Sequence, residues 1–124
     1  MREIKLRYRC LNNTTNKVET FYYTIDQVEG GLDFEKGWIF GGAYKLLSRD
    51  LFTGLKDKNG KEIYEGDILK IVSDNGEFNG QVCSVVFERG GFRDSYYKWM
   101  LDGKTHEYEV IGNLYENPEL LRKE

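Results

Sequence analysis

Histidine and cysteine are scarce in this sequence, and their scarcity limits the metal chemistry that it offers. The 124 residues include one histidine, His106, and two cysteines, Cys10 and Cys83, far apart in the chain. These three side chains cannot supply the four ligands of a structural zinc site. Residues 57–62 weakly resemble a calcium loop, but two lysines interrupt them and the ligand spacing is absent, so a plain hairpin is favoured. We therefore expect neither a metal nor a cofactor.

The two cysteines also lack the spacing of a redox or metal motif. No CxxC is present, and neither cysteine has a near partner in the sequence. In a reducing cytoplasm such residues are ordinarily free thiols packed within strands. We expect two free thiols, and a disulfide between Cys10 and Cys83 is the geometrically possible alternative.

Long apolar runs are missing as well. Residues 1–7 alternate charged and apolar side chains, so the hydrophobic region of a signal peptide does not form. No stretch approaches the roughly 20 apolar residues that a membrane-spanning helix needs. We expect a cytoplasmic protein that does not bind a membrane.

The chain carries no excess of positive charge. It has 18 Lys and Arg against 21 Asp and Glu, which gives a formal net charge of -3. A protein that coats DNA usually draws its affinity from a clear basic excess, so the balance argues against that role. A local basic patch remains compatible with it.

Nothing in the sequence indicates a catalytic centre. His106 lies in an alternating strand pattern, and its neighbours Glu107 and Glu109 should point to the opposite face, where they cannot orient its imidazole. The pairs Gly41-Gly42 and Gly90-Gly91 lack a P-loop lysine pattern and a following capped helix. We predict no catalytic residues and no enzymatic activity.

Alternation punctuated by glycine is the dominant pattern of the chain. Apolar and charged residues alternate over residues 4–10, and residues 18–25 read as the returning strand of a hairpin after a polar turn. Further strands follow at intervals of about ten residues, over residues 67–72, 81–88, 96–101 and 105–111. Such spacing is typical of a small antiparallel barrel or sandwich.

These patterns predict one mainly β domain over residues 1–124. Residues 1–52 form an N-terminal β extension that begins with the hairpin. Residues 53–124 carry a second hairpin with a type I′ turn at Asn59-Gly60, an SH3-like barrel over residues 64–115, and a short C-terminal helix over residues 118–123 with Asn117 as its N-cap. Residues 26–42 are best described as a loop with one short strand around Trp38-Ile39-Phe40, and residues 44–52 fit a strand or a helical turn.

Two long motifs carry a resemblance to a known family. Residues 52–69 read FTGLKDKNGKEIYEGDIL and residues 108–121 read YEVIGNLYENPELL. Together with the start REIKLR at residues 2–7, they resemble the YopX family of phage and prophage proteins. The chain departs from it at Tyr8-Arg9-Cys10, where members typically have Ala-Trp-Asp. The resemblance implies a mobile-element context in a bacterial host, and it brings no established activity and no catalytic residues.

The strongest candidate for a binding surface is the stretch 92–99, where aromatic side chains alternate with Arg and Lys. We take Arg93, Tyr96, Tyr97 and Trp99 as its residues, since they could anchor a protein interface or stack on bases. The alternative is a core strand with one solvated face. The leading function is a non-enzymatic phage or prophage accessory protein that binds a host or phage protein. A nucleic-acid-binding small barrel is the alternative, and a homo-oligomer is compatible with the sequence.

Overall fold

The computed structural model describes residues 4–29, 44–73, 80–96, 98–101 and 107–122. The fold is mainly β, as the sequence predicts. The described elements are β1 (Lys5–Asn12), β2 (Val18–Thr24), α1 (Ile25–Glu29), β3 (Tyr44–Lys56), β4 (Glu62–Tyr64), β5 (Asp67–Ser73), β6 (Val82–Glu88), β7 (Gly91–Asp94), β8 (Glu107–Asn113) and the 3₁₀ helix η1 (Pro118–Arg122). They belong to two compact units, Met1–Phe52 and Thr53–Glu124. Neither described helix is long and apolar enough to cross a membrane.

The first unit is an antiparallel sheet with the strand order β2-β1-β3. β1 and β2 form the predicted N-terminal hairpin, paired from Lys5 opposite Thr24 to Leu11 opposite Val18. Asn12 closes their turn, because its side-chain oxygen accepts hydrogen bonds from the backbone N–H groups of Thr14 and Thr15 at 2.9 and 3.1 Å.

Both faces of β1 are buried, which differs from the half-buried strand that the alternation predicts. On one face Tyr8 and Cys10 pack against apolar residues that include Phe21 and Tyr23. On the other face Arg7 is buried, and its guanidinium lies 2.9 Å from the buried carboxylate of Asp50 on β3. A buried charge needs such a partner, and Asp50 on β3 supplies it.

The segment between β2 and β3 contains a short helix that the sequence interpretation missed. Thr24 and Gln27 cap its start reciprocally, since the Thr24 N–H donates to Gln27 Oε1 at 2.9 Å and the Gln27 N–H donates to Thr24 Oγ1 at 3.3 Å. The sequence left a strand and a helical turn as alternatives for residues 44–52, and the structure shows that they belong to strand β3. The predicted strand around Trp38-Ile39-Phe40 lies outside the described residues.

The second unit contains an open antiparallel sheet with the order β7-β6-β5-β8. Its core consists of Ile63, Leu69, Ile71, Cys83, Val85, Leu101 and Tyr108. The predicted SH3-like barrel is not confirmed, because the described strands do not close into a barrel. The outer edge of β8 is covered instead by the 57–61 turn: the Lys58 N–H donates to Tyr108 O at 2.9 Å, and the Val110 N–H donates to Asp57 Oδ2 at 3.0 Å.

The 57–61 turn is not the predicted type I′ turn. Gly60 has a φ of 86°, but Asn59 is not among the described residues with positive φ. The Gly60 N–H donates to Asp57 O at 3.0 Å, which makes a type I turn followed by a left-handed glycine. The Asp57 carboxylate favours this form because it accepts the N–H groups of Asn59 and Lys61 at 2.8 and 2.9 Å.

The C-terminal segment forms the predicted short helix, as a 3₁₀ helix over Pro118–Arg122. Asn117 does not cap it with its side chain. The Asn117 side-chain oxygen turns back and accepts a hydrogen bond from the Asn113 N–H at 3.2 Å. This position requires the glycine at 112, where an added Cβ would lie 2.5 Å from that oxygen.

Candidate binding groove and aromatic loop

The predicted strand over residues 96–101 is wrong, because the chain reverses there. β6 and β7 are joined by Arg89-Gly90, whose φ angles of 54° and 81° suit a tight hairpin turn. β7 ends at Asp94, and residues 94–100, described except for Tyr97, form what we call the aromatic loop.

Asp94 organises the aromatic loop. Its carboxylate is buried at 1% exposure and accepts hydrogen bonds from the backbone N–H groups of Tyr96 and Trp99, both at 3.0 Å. The Asp94 backbone N–H donates to Trp99 O, and its carbonyl accepts from the Lys98 N–H, each at 3.0 Å. Aspartate side chains that bond to nearby backbone groups compete with strand pairing, which explains the turn.

The three described residues of the predicted surface, Arg93, Tyr96 and Trp99, differ in exposure. Tyr96 is 60% exposed and Trp99 is 36% exposed. Arg93 is half-buried, and its guanidinium donates to Glu88 O at 3.0 Å and to Lys98 O at 2.9 Å, so it braces the loop. Tyr97 lies outside the described residues. Met100 is 51% exposed and also belongs to this surface, although no sequence pattern predicted it there.

A groove adjoins the aromatic loop on the side of Tyr96. It has a volume of about 380 Å³ and lies between the start of β6, the loop and η1. Its lining residues are Gly80, Gln81, Val82, Ser95, Tyr96, Leu120 and Leu121. The volume falls at the small end of the range of roughly 300–1,000 Å³ for ligand sites. The sequence indicates only that Leu120 and Leu121 pack the short C-terminal helix against the rest of the protein. It therefore did not predict the groove.

Arg93 and Lys98, the two cationic residues of the predicted stretch 92–99, are already engaged. Lys98 Nζ lies 3.1 Å from Glu88 Oε2 in an exposed ion pair. The Arg93 guanidinium is held by two backbone carbonyls. A phosphate at the loop would therefore compete with contacts inside the protein.

Three buried carboxylates of the second unit accept hydrogen bonds from backbone N–H groups. Asp57 accepts three backbone N–H groups, Asp94 accepts two, and Asp67 accepts the Tyr64 N–H at 2.8 Å. Burial alone would raise the pKa of Asp57, but the hydrogen bonds from Val110, Lys61 and Asn59 outweigh it and lower the pKa. Within the described residues, no three His, Cys, Asp or Glu side chains group as metal ligands. His106 lies outside those residues.

The two cysteines are free thiols and both are buried. Burial, with a smaller contribution from the Asp94 carboxylate, raises the pKa of Cys83 to about 12. Burial also raises the pKa of Cys10, and the charge of Glu19 adds to the effect. A reactive cysteine needs thiolate character and access, and neither residue combines them.

Comparison with known proteins settles the family. The model of the family described as "YopX protein" matches residues 3–122. The chain belongs to the YopX family. The resemblance seen in its two long motifs is thereby confirmed.

Two relatives of this YopX-family chain are informative. Over 70 residues it is 43% identical to the SPbeta prophage-derived uncharacterized protein YopX of Bacillus subtilis (strain 168), a match that covers 50% of this chain and 52% of the relative. The chain thus spans about half the length of this curated relative. The crystal structure of protein EF1440 from Enterococcus faecalis superposes with a TM-score of 0.54 at 22% identity, covering 94% of this chain and 97% of the other. That likeness concerns the fold alone.

Proposed function

We propose that this YopX-family protein is a non-enzymatic accessory protein of a phage or prophage. In this proposal it acts in the bacterial cytoplasm by binding a host or phage protein through the aromatic loop and the adjoining groove. The prophage setting is carried over from the Bacillus relative, which is named as prophage-derived. The observation that carries the binding role is Tyr96, an exposed aromatic side chain on the wall of a partly apolar groove.

The chemistry of this surface suits a protein partner. Tyrosine, tryptophan and methionine are enriched at the centres of interfaces, and Tyr96, Trp99 and Met100 are all exposed here. Because Asp94 already fixes the backbone of the loop, binding would cost little additional ordering of the chain. An ordered loop with apolar side chains in solvent is therefore consistent with a preformed contact surface.

The electrostatics favour protein over nucleic acid. Affinity for nucleic acid rests on cations that displace counterions from phosphates. Here Arg93 and Lys98 are committed to carbonyls and to Glu88, and the whole chain has a net charge of -3. A protein interface does not depend on free cations.

The absence of enzymatic activity is also part of the proposal. It is supported by the roles of the acidic and thiol groups in the second unit. The carboxylates of Asp57, Asp67 and Asp94 are occupied by backbone N–H groups, and the thiol of Cys83 has a pKa of about 12. Groups in these states are poorly suited to acid–base or nucleophilic work near neutral pH.

The test is affinity capture from lysates of phage-infected bacteria with three forms of the full chain. Wild type and Tyr96→Ala are compared with Tyr22→Ala, which removes an equally exposed tyrosine, 54% accessible, from the first unit. We expect a protein that wild type and Tyr22→Ala retain and Tyr96→Ala loses. Identical captures by wild type and Tyr96→Ala would contradict the proposal.

Fluorescence anisotropy with labelled single- and double-stranded DNA and RNA tests the alternative. We expect no saturable binding at low or moderate salt. Binding that weakens steeply with salt, and that an Arg93→Ala/Trp99→Ala variant loses, would replace the proposed function with nucleic-acid recognition.

A further inference from the structure

The two edges of β6 differ in how their backbone groups are used. Towards β5, the Gln81 carbonyl accepts the Ile71 N–H at 3.0 Å. Towards β7, the Ser84 carbonyl accepts the Ser95 N–H at 2.8 Å, and the Ser84 N–H donates to Ser95 Oγ at 2.9 Å. Successive residues of an antiparallel strand direct their N–H and C=O groups to opposite edges. The N–H and C=O of Val82 therefore point away from β5, to the same edge as those of Ser84.

β7 does not extend along this edge as far as Val82. Its pairing with β6 runs from Glu88 opposite Gly91 to Val85 opposite Asp94, and the chain then turns at Ser95 and Tyr96. Among the described residues, no hydrogen bond uses the Val82 N–H. The Val82 carbonyl accepts only the side-chain amide of the neighbouring Gln81, at 3.1 Å. Where the groove opens, the end of β6 therefore presents one donor, the Val82 N–H, and one acceptor, the Val82 carbonyl. The hydrogen bond that this carbonyl accepts from the Gln81 side chain can be displaced.

We propose that the groove receives an extended segment of the partner protein, which adds as a strand to the edge of β6 at Val82. This inference rests on the proposed function and specifies how the partner is held. One partner residue would exchange both backbone hydrogen bonds with Val82, as a hydrogen-bonded antiparallel pair does, and displace the Gln81 amide. The next partner side chain on the groove side, bulky and apolar, would lie among Tyr96, Leu120 and Leu121.

The shape of the site favours such a segment over a small molecule. Strand addition combines main-chain hydrogen bonds, which give affinity, with a pocket for one side chain, which gives specificity. The groove contains both parts: a strand edge at Val82, and the aromatic and aliphatic side chains of Tyr96 and Leu121. A volume of about 380 Å³ accommodates one or two side chains.

The experiment uses linear random twelve-residue peptides displayed on phage, selected against the full chain and then synthesised. In the best binder, each backbone nitrogen is methylated in turn. We expect affinity to fall by about tenfold at one residue beside the apolar anchor and to change little at the other residues, because only one partner N–H donates to the Val82 carbonyl. Tyr96→Ala should also weaken binding by about tenfold, while Tyr22→Ala should not.

Hydrogen exchange at the Val82 amide provides a readout that needs no variant. Saturating peptide should slow exchange at Val82 by about tenfold or more, since this N–H gains an acceptor. Equal effects of methylation along the peptide, unchanged exchange at Val82, or the absence of any Tyr96-dependent peptide would overturn strand addition. Protection of Val82 by dimerisation without peptide would overturn it too, in favour of a second copy. The proposed function is judged separately by the lysate capture, which can succeed when these peptide tests fail.

Discussion

Two segments of the second unit are each ordered by one buried aspartate, but one leads into the core and the other exposes its side chains to solvent. In the 57–61 turn, Asp57 accepts three backbone N–H groups, and the strand that follows buries Ile63 and Tyr64. In the aromatic loop, Asp94 accepts two backbone N–H groups, and the residues that follow expose Tyr96, Trp99 and Met100. A carboxylate that fixes a turn therefore does not reveal whether the turn supports the core or presents a surface.

The difference lies in the distance over which each carboxylate acts. Asp57 bonds to Val110, 53 positions away in sequence, so it fastens its turn to β8. The described side-chain hydrogen bonds of Asp94 go to Tyr96 and Trp99, within its own loop. Loss of Asp57 should therefore disturb the sheet, whereas loss of Asp94 should disturb the binding surface first.

The largest expected effect is that of Asp57→Ala. It leaves the N–H groups of Asn59, Lys61 and Val110 without their acceptor, and we expect a loss of roughly 3–5 kcal/mol in the free energy of unfolding. Urea unfolding measures it. Lys58→Ala, at the exposed neighbouring position, is the control and should change stability by less than about 0.5 kcal/mol. Similar losses in the two variants would refute the role given to Asp57.

Asp94→Ala should have a smaller effect on stability. Two backbone N–H groups lose a charged acceptor, for which we expect roughly 2–3 kcal/mol. We also expect it to abolish capture of the Tyr96-dependent partner under conditions where the variant is still folded, because the loop loses its fixed shape. Undiminished capture by a folded Asp94→Ala protein would show that the ordered loop is not needed.

Acid should weaken the Asp57 contacts in a defined direction. The folded-state pKa of Asp57 lies below its ordinary value of 3.8, so the stability from its carboxylate is fully present above that value. It is lost as the pH falls through 3.8 and then through the lower folded-state pKa. Asp57→Asn cannot titrate. We therefore expect the gap in unfolding free energy between wild type and this variant to shrink between about pH 5 and about pH 3. Parallel pH profiles of the two proteins would contradict this.

The smallest expected effect on stability is that of Tyr96→Ala. This side chain is 60% exposed, and its removal should change the free energy of unfolding by less than about 0.5 kcal/mol. Thermal or urea unfolding tests this directly. A loss above about 1 kcal/mol would place Tyr96 with the core, and its effect on binding would then need another explanation.

Local patterns predicted those parts of the fold that depend on neighbours in sequence. The hairpin of β1 and β2, and strands β5, β6 and β8, follow from alternation and turn residues. The capping box of Thr24 and Gln27 was also readable, although it opens a helix of only five residues. The burial of Arg7 could not be predicted from the sequence, because the partner of its guanidinium is Asp50, 43 positions further along the chain.

The candidate site was only partly predictable for the same reason. The composition of residues 92–99 singled out Tyr96 and Trp99, which are exposed. It could not show that Arg93 is used internally, since its partners are backbone carbonyls brought close by the turn. The groove depends on η1 lying near the start of β6, a contact between distant parts of the chain.

The close approach of Asn117 to Gly112 implies a constraint on how these sequences diverge. The Asn117 side chain occupies the space that a Cβ at position 112 would need, so a side chain at 112 requires a change at 117. Among family members, a side chain at the position of Gly112 should coincide with a smaller residue at the position of Asn117. The pair should therefore covary across an alignment, and a substitution of Gly112 alone should be rarer than one accompanied by a smaller residue at position 117.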